Sequence, residues 1–207
     1  LHLVTGSHDQ YAAMSAMSLE VDRDIILASG TAWVINSRTS HPVYDTENQL
    51  LHPGRDIAAD HYGNISVIGS GLGKGFHDLL SSLNVRYDQL ESIENDVNNL
   101  IYPSLPSGGH YHYFELHRTI RIKRYMEWMA SIVKNHLIQS RFLNGLEEII
   151  LTGGAANSRV LPQVLANVCG IRVKTIVFPE LTAYGAAKYA AQAAGVLVRL
   201  VIDAGRT

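Results

Sequence analysis

The chain has 207 residues, 46% of them hydrophobic and 17% charged, with a formal net charge of −2 at pH 7. That much apolar material can bury a full core, which excludes a disordered chain. The weakly acidic balance gives no basic face for nucleic acid, the single Cys169 excludes an internal disulfide and favours a reducing compartment, and no apolar run reaches the roughly 18 residues of a membrane span.

Residues 1–6, LHLVTG, begin on strand-like sequence without an initiator Met or the parts of a signal peptide. The expectation is a piece of a longer protein whose N-terminal partner is missing. Leu3-Val4-Thr5 predicts a strand end, and the small-residue run after Gly6-Ser7-His8-Asp9-Gln10 predicts a helix over 10–20. Residues 24–36, DIILASGTAWVIN, read as two β-rich runs joined at Ser29-Gly30-Thr31, a hairpin. Residues 37–64 are polar and turn-rich, predicting loops and short edge strands. The apolar run at 65–68 leads into Gly69-Ser70-Gly71-Leu72-Gly73-Lys74-Gly75 and a helical stretch to about 83. A short helix is expected over 88–99, then a loop at 102–113, YPSLPSGGHYHY.

The longest helix is predicted at about 115–140, because Ile122, Met126, Met129, Val133 and Leu137 recur on one face. Ile149-Ile150-Leu151 reads as a buried strand running into Gly153-Gly154, followed by a helix from 158 to 169 with Pro162 early in it. Residues 173–178 predict another strand. Thr182 is expected to cap an Ala-rich helix ended by Gly195. The C-terminal half thus alternates helix and strand, which predicts α/β layers with parallel strands.

Three loops carry chemistry. Thr152-Gly153-Gly154-Ala155-Ala156-Asn157 follows a strand, and its glycines let a ligand approach free amides. It is either a ligand turn or a plain tight turn, and Asn157 either caps the helix or bonds a base or ribose. Gly30 and Thr31, at the hairpin tip, could hold phosphate oxygens through amides and a hydroxyl, or form only a turn. Asp9 could act as general base toward a hydroxyl that attacks phosphorus, or simply cap the helix. Gln10 either bonds a polyol or is solvated. The run 69–75 is not a P-loop, because Ile68 stands where the first glycine is needed and Gly75 where Ser or Thr is needed, which leaves a flexible or ligand-approaching loop. His110 and His112 alternate with Tyr111 and Tyr113, which reads as a loop of solvated or polyol-contacting aromatics rather than a zinc site. Cys169 reads as a core residue, and Asn64-Ile65-Ser66 matches a glycosylation sequon.

In their order and spacing these segments resemble the C-terminal domain of the FGGY carbohydrate kinases, which include kinases of glycerol, xylulose, ribulose, rhamnulose, fuculose and gluconate. The resemblance runs from Thr5 to Gly195 and is strongest over 146–195. It implies an α/β, ribonuclease H-like, actin-type ATPase domain: a mixed sheet flanked by helices, and one domain over 1–207. It implies transfer of the γ-phosphate of ATP, with Mg²⁺, to a sugar or polyol in the cytoplasm. Asp9 matches the catalytic base and Gln10 a substrate contact. Gly30 and Thr31 match the phosphate turn, Gly71 a nucleotide-contacting glycine, and Gly153, Gly154 and Asn157 the adenosine turn.

The implied partners are the substrate and the N-terminal kinase domain, with a homodimer open and no nucleic acid or membrane. The chain alone should not be a competent kinase. The chain departs from the family pattern at Gly75, in the 102–113 loop, and at Met126-Glu127-Trp128-Met129. Two other readings are a non-catalytic nucleotide- or sugar-sensing regulator of the same superfamily and a plain α/β scaffold. Asp9 and Gln10 favour the kinase.

Overall fold

The computed structural model describes residues 6–56, 61–69, 71–86, 89–90, 118–142 and 145–196. The strand end at 3–5, all of the expected helix at 88–99 except residues 89–90, and the loop at 102–113, with His110 and His112, lie outside the described residues.

In chain order the elements are helix α1 (Asp9–Ser15), strands β1 (Asp24–Ser29), β2 (Trp33–Thr39), β3 (His52–Asp56) and β4 (His61–Gly69), and helices α2 (Leu72–Ser82) and α3 (Arg118–Gln139). Then come β5 (Glu148–Gly153), a 3₁₀ turn (Gly154–Asn157), α4 (Leu161–Cys169), β6 (Arg172–Ile176) and α5 (Leu181–Ala193). The strands form one six-stranded sheet in the order β3-β4-β2-β1-β5-β6. The expected hairpin is present, with β1 antiparallel to β2 from Ile25–Ser37 to Ser29–Trp33. On its other side β1 runs parallel to β5, and β5 parallel to β6.

Alternation along the strands sorts the core into two layers. Ile25, Leu27, Ile149 and Leu151 pack against the layer of α2, α3 and α4. Ile26 and Ile150 face the opposite way, against α1 and α5. A strand covered on both faces needs a continuous apolar run, which is why Ile149-Ile150-Leu151 is legible as a buried parallel strand. The apolar face of α3 is as predicted: Ile122, Met126, Met129, Val133 and Leu137 are all almost wholly buried.

Several expectations are corrected. Helix α1 is shorter than 10–20 and starts at Asp9. Residues 37–64 hold the expected loop, at 40–51, and the expected short edge strand, β3, but also the end of β2 and the start of β4. The period of β4 is hidden by polar residues that are nevertheless buried, Asn64 and Ser66. Ser66 Oγ donates to the Leu50 carbonyl at 2.6 Å and meets His136 Nε2 on α3 at 2.6 Å. Asn64 is fully buried, so the sequon offers no glycosylation acceptor. Pro53 sits on the edge strand β3, where a missing amide does least harm. Thr182 lies inside α5, whose N-cap is Glu180 with no side-chain hydrogen bond. Gly195, at φ +71°, does end that helix.

The Ser66–His136 contact has a pH consequence. Ser66 uses its proton on the Leu50 carbonyl, so His136 donates from Nε2. Burial holds its pKa below the ordinary value of 6.5. The unfolded chain therefore binds a proton first as the pH falls. This contribution is complete above pH 6.5 and is lost as the pH falls through the lower folded pKa. The loss is about 1.4 kcal/mol for each unit of depression. Thermal melts of wild type and His136→Gln should converge as the pH drops from 7.5 toward 5. A constant gap between them would remove His136 from the pH response.

Candidate functional site

A cavity of about 840 Å³ opens on the α2–α3–α4 face, at the C-terminal ends of β1 and β5. In open α/β sheets this is where ligands bind. Three backbone segments meet there, and each approach depends on one small residue. Ser29, at the end of β1, is buried; its Oγ donates to the Thr152 carbonyl at 2.5 Å and accepts the Ala155 amide at 2.9 Å. The hairpin is thereby tied to the turn after β5. Gly153 has φ +84°, and a Cβ there would lie 2.6 Å from the Ser29 carbonyl oxygen. Only glycine satisfies both the conformation and the approach. A Cβ on Gly73 would stand 2.2 Å from the Gly30 carbonyl oxygen, so the first turn of α2 rests directly on the hairpin tip.

The hairpin side of the cavity is lined by Gly30 and Thr31, and the far side by Gly154, Ala155 and Asn157. Trp33, Phe76, Met129 and Leu161 supply apolar walls. Lys74, His77 and Arg159 add nitrogen groups, and among the described lining residues there is no carboxylate. Apolar walls suit a planar ring, while amides and cations suit an anion.

The expected site residues divide. Gly30, Thr31, Gly154 and Asn157 line one cavity. Gly153 is outside the lining and shapes the turn. Gly71 is the N-cap residue of α2, and its carbonyl accepts the Gly75 amide at 2.7 Å. Asn157 does not cap the following helix: its Nδ2 donates to the Gly154 carbonyl at 3.3 Å. Ser158 Oγ accepts the amides of Val160 and Leu161 at 3.3 and 3.0 Å, and the N-cap residue of that helix is Val160.

Asp9 and Gln10 do not line the cavity. They open α1, which packs on the opposite face of the sheet. Gln10 Oε1 accepts from Asn36 Nδ2 on β2 at 3.0 Å. The Asp9 side chain is 63% exposed, with Oδ1 2.7 Å from His8 Nδ1. The Gln10 amide has two candidate acceptors, Asp9 Oδ1 at 2.8 Å and His8 Nδ1 at 3.3 Å. A 2.7 Å approach of nitrogen to a carboxylate oxygen needs a proton between them, so Nδ1 donates to Asp9 and the carboxylate takes the amide. Asp9 thus holds the start of α1 and stays open to solvent.

Sequence reasoning left the run 69–75 open as a ligand-approaching loop without assigning a role to Gly73 or Lys74, and it missed the aromatic walls. A glycine inside the first turn of a helix was the available signal, since it weakens the helix unless something must come close.

No group of three His, Cys, Asp or Glu among the described residues could hold a metal. The described lining therefore supplies no ligand set for Mg²⁺, which favours carboxylates and phosphate oxygens. No helix among the described residues is long and apolar enough to cross a membrane.

Residues 130–194 match the model of the FGGY family of carbohydrate kinases, C-terminal domain. No curated protein matches the chain. Among solved structures, the xylulose kinase from Rhodospirillum rubrum is similar over 97% of this chain and 45% of its own, with TM-score 0.77 and 16% identity. The xylulose kinase from Bifidobacterium adolescentis covers 90% of this chain, with TM-score 0.67 and 20% identity, over 40% of its own length. Plasmodium falciparum glycerol kinase, solved with ADP, covers 93% with TM-score 0.70 and 16% identity, over 42% of its length. At these identities the likeness is one of fold: a mixed sheet flanked by helices, as in sugar kinases of the actin-like ATPase fold. The chain spans less than half the length of each.

Proposed function

We propose that this chain is the nucleotide-binding half of a carbohydrate kinase that transfers the γ-phosphoryl group of ATP to a hydroxyl of a sugar or polyol. The observation that carries the reading is the cavity itself, where Gly30, Thr31, Gly154 and Asn157 line one space at the strand ends. Gly30 and Thr31 offer amides and a hydroxyl to phosphate oxygens. The apolar walls take the base, while Gly154 and Asn157 border the adenosine. Gly153 permits the turn, and Gly71 starts the helix whose first turn forms the rim.

Asp9 is the general base and Gln10 the acceptor contact. As the acceptor oxygen bonds to the γ-phosphorus and the bond to the departing ADP breaks, the hydroxyl proton moves to the Asp9 carboxylate. Mg²⁺, when bound, neutralises phosphate charge. The acceptor and the nucleotide are brought together by an N-terminal half, which also supplies most sugar contacts. The greater length of the matched structures supports this division. Closure of two halves excludes water from the transfer.

Calorimetric titration of this chain with MgADP tests the nucleotide assignment. One site is expected. In Gly73→Ala the new methyl meets the Gly30 carbonyl and pushes α2 off the hairpin tip. Affinity should fall about tenfold, equivalent to about 1.4 kcal/mol, with the circular dichroism unchanged. Wild type without detectable MgADP or MgATP binding at roughly 1 mM, about 4 kcal/mol, would sink the assignment.

A further inference from the structure

We infer that Lys74 is a mobile cation of the nucleotide site that exchanges Asp78 for the β- and γ-phosphates of a bound nucleoside di- or triphosphate. The inference rests on the nucleotide reading above and adds to it a residue and a ranking among ligands.

Lys74 follows the residue that rests on the hairpin tip. Gly73, its neighbour, touches the hairpin tip closely enough that a Cβ would fall 2.2 Å from the Gly30 carbonyl oxygen and 3.4 Å from Thr31 Cα. The Lys74 side chain therefore leaves the backbone beside the Gly30-Thr31 turn, the phosphate end of the cavity. It lines that cavity. The base end lies elsewhere, at Asn157 and the apolar walls.

The present partner of Lys74 is weak and close at hand. Nζ donates to Asp78 Oδ2 at 2.6 Å, one helical turn on in α2. Both side chains are more than half exposed, at 66% and 56%. Exposed pairs of this spacing contribute little and are screened by salt. A polyphosphate carries several charges, and among the described lining residues no carboxylate competes with it. A lysine is a compact charge on a flexible stem, so it can exchange one anion for another by rotating its side chain. Occupation should therefore move Lys74 from Asp78 to phosphate, and affinity should rise with phosphate number.

The test is calorimetry on this chain with adenosine, AMP, ADP and ATP, using wild type, Lys74→Met, Lys74→Arg and Asp78→Asn. Methionine keeps the apolar stem and removes the charge. Lys74→Met should weaken ADP and ATP about tenfold, as expected for one charge-assisted contact, and change adenosine by less than about twofold. Lys74→Arg should retain most of the ADP affinity, because it keeps the charge. Asp78→Asn should tighten ADP by about twofold, since it frees the lysine.

Equal loss for adenosine and ADP in Lys74→Met would assign the residue to packing and overturn the inference. So would an unchanged ADP affinity in Lys74→Met, which leaves the nucleotide site standing. Weaker ADP binding in Asp78→Asn would overturn the exchange. If wild type binds no nucleotide at all, the cavity assignment fails and Lys74 fails with it.

Discussion

Asp9→Asn should lower sugar-dependent release of ADP by roughly 10²–10⁴-fold, the usual contribution of a positioned general base. The substitution is a clean probe because of what Asp9 does locally. Its Oδ1 accepts the Gln10 amide at 2.8 Å, and an asparagine oxygen can do the same. Helix α1 should stay in place. Asp9 does not line the cavity, so nucleotide affinity should also be unaffected. The expected signature is a collapse in kcat with unchanged binding of MgADP.

The measurement uses the full-length protein and follows ADP release from MgATP against ketoses, aldoses, polyols and sugar acids. A variant that keeps its rate would remove Asp9 from the chemistry. A wild type that binds nucleotide but shows no sugar-dependent release would turn the reading toward a sensing regulator.

The second large effect is expected at Gly185 in α5. A Cβ at this position would fall 1.7 Å from the Ala12 carbonyl oxygen and 2.4 Å from its carbon. Both atoms belong to the backbone of α1, so no side chain can rotate away. The two helices must separate, and the contacts beside the clash go with them: Tyr189 Oη donating to the Tyr11 carbonyl at 3.1 Å, and Lys188 Nζ donating to the Ser15 carbonyl at 2.5 Å. Gly185→Ala should cost about 3 kcal/mol, the upper part of the range for an overpacked core. For a chain of this size that lowers the melting temperature by on the order of 10 °C. A melting temperature within about 2 °C of wild type would show that α1 and α5 can part without loss. Because α1 carries Asp9 at its first residue, the same variant should also depress sugar-dependent ADP release by the full-length protein.

The parts of the fold that were legible in sequence are those where one physical pressure acts alone. Helix α3 shows its burial as a spacing, because Ile122, Met126, Met129, Val133 and Leu137 all serve one face. Strand β5 shows its burial as a run, because both of its faces are covered. Strand β4 was hard to see because Asn64 and Ser66 occupy buried positions. Their polarity answers to His136, the Leu50 carbonyl and Thr39, partners distant in sequence.

The same holds for the candidate site. The Gly153-Gly154 turn is written locally, as glycines after a strand. Lys74 is not, because its meaning comes from the contact of Gly73 with Gly30, which only the fold creates. Thr182 shows the limit of local rules. Its hydroxyl suits a helix cap, yet Leu181 already belongs to α5 and is buried in the core.

The parallel pairing of β1 with β5 governs the order in which the chain can assemble. The β2 and β4 strands reach the sheet through connections to near neighbours, but the Ser29–Thr152 contact closes a span of 123 residues. Loop-closure entropy must be met before such a contact gives anything back, and distant pairings form late for that reason. The hairpin tip and the Gly153-Gly154 turn lie on opposite sides of that span, so the cavity is complete only after the most distant pairing has closed. A ligand that bridges both walls would bind the finished fold and not its precursors, and would draw the population toward it by mass action. Because closure entropy grows only logarithmically with length, segments between the two walls can lengthen or shorten at small cost without moving the residues that meet across the cavity.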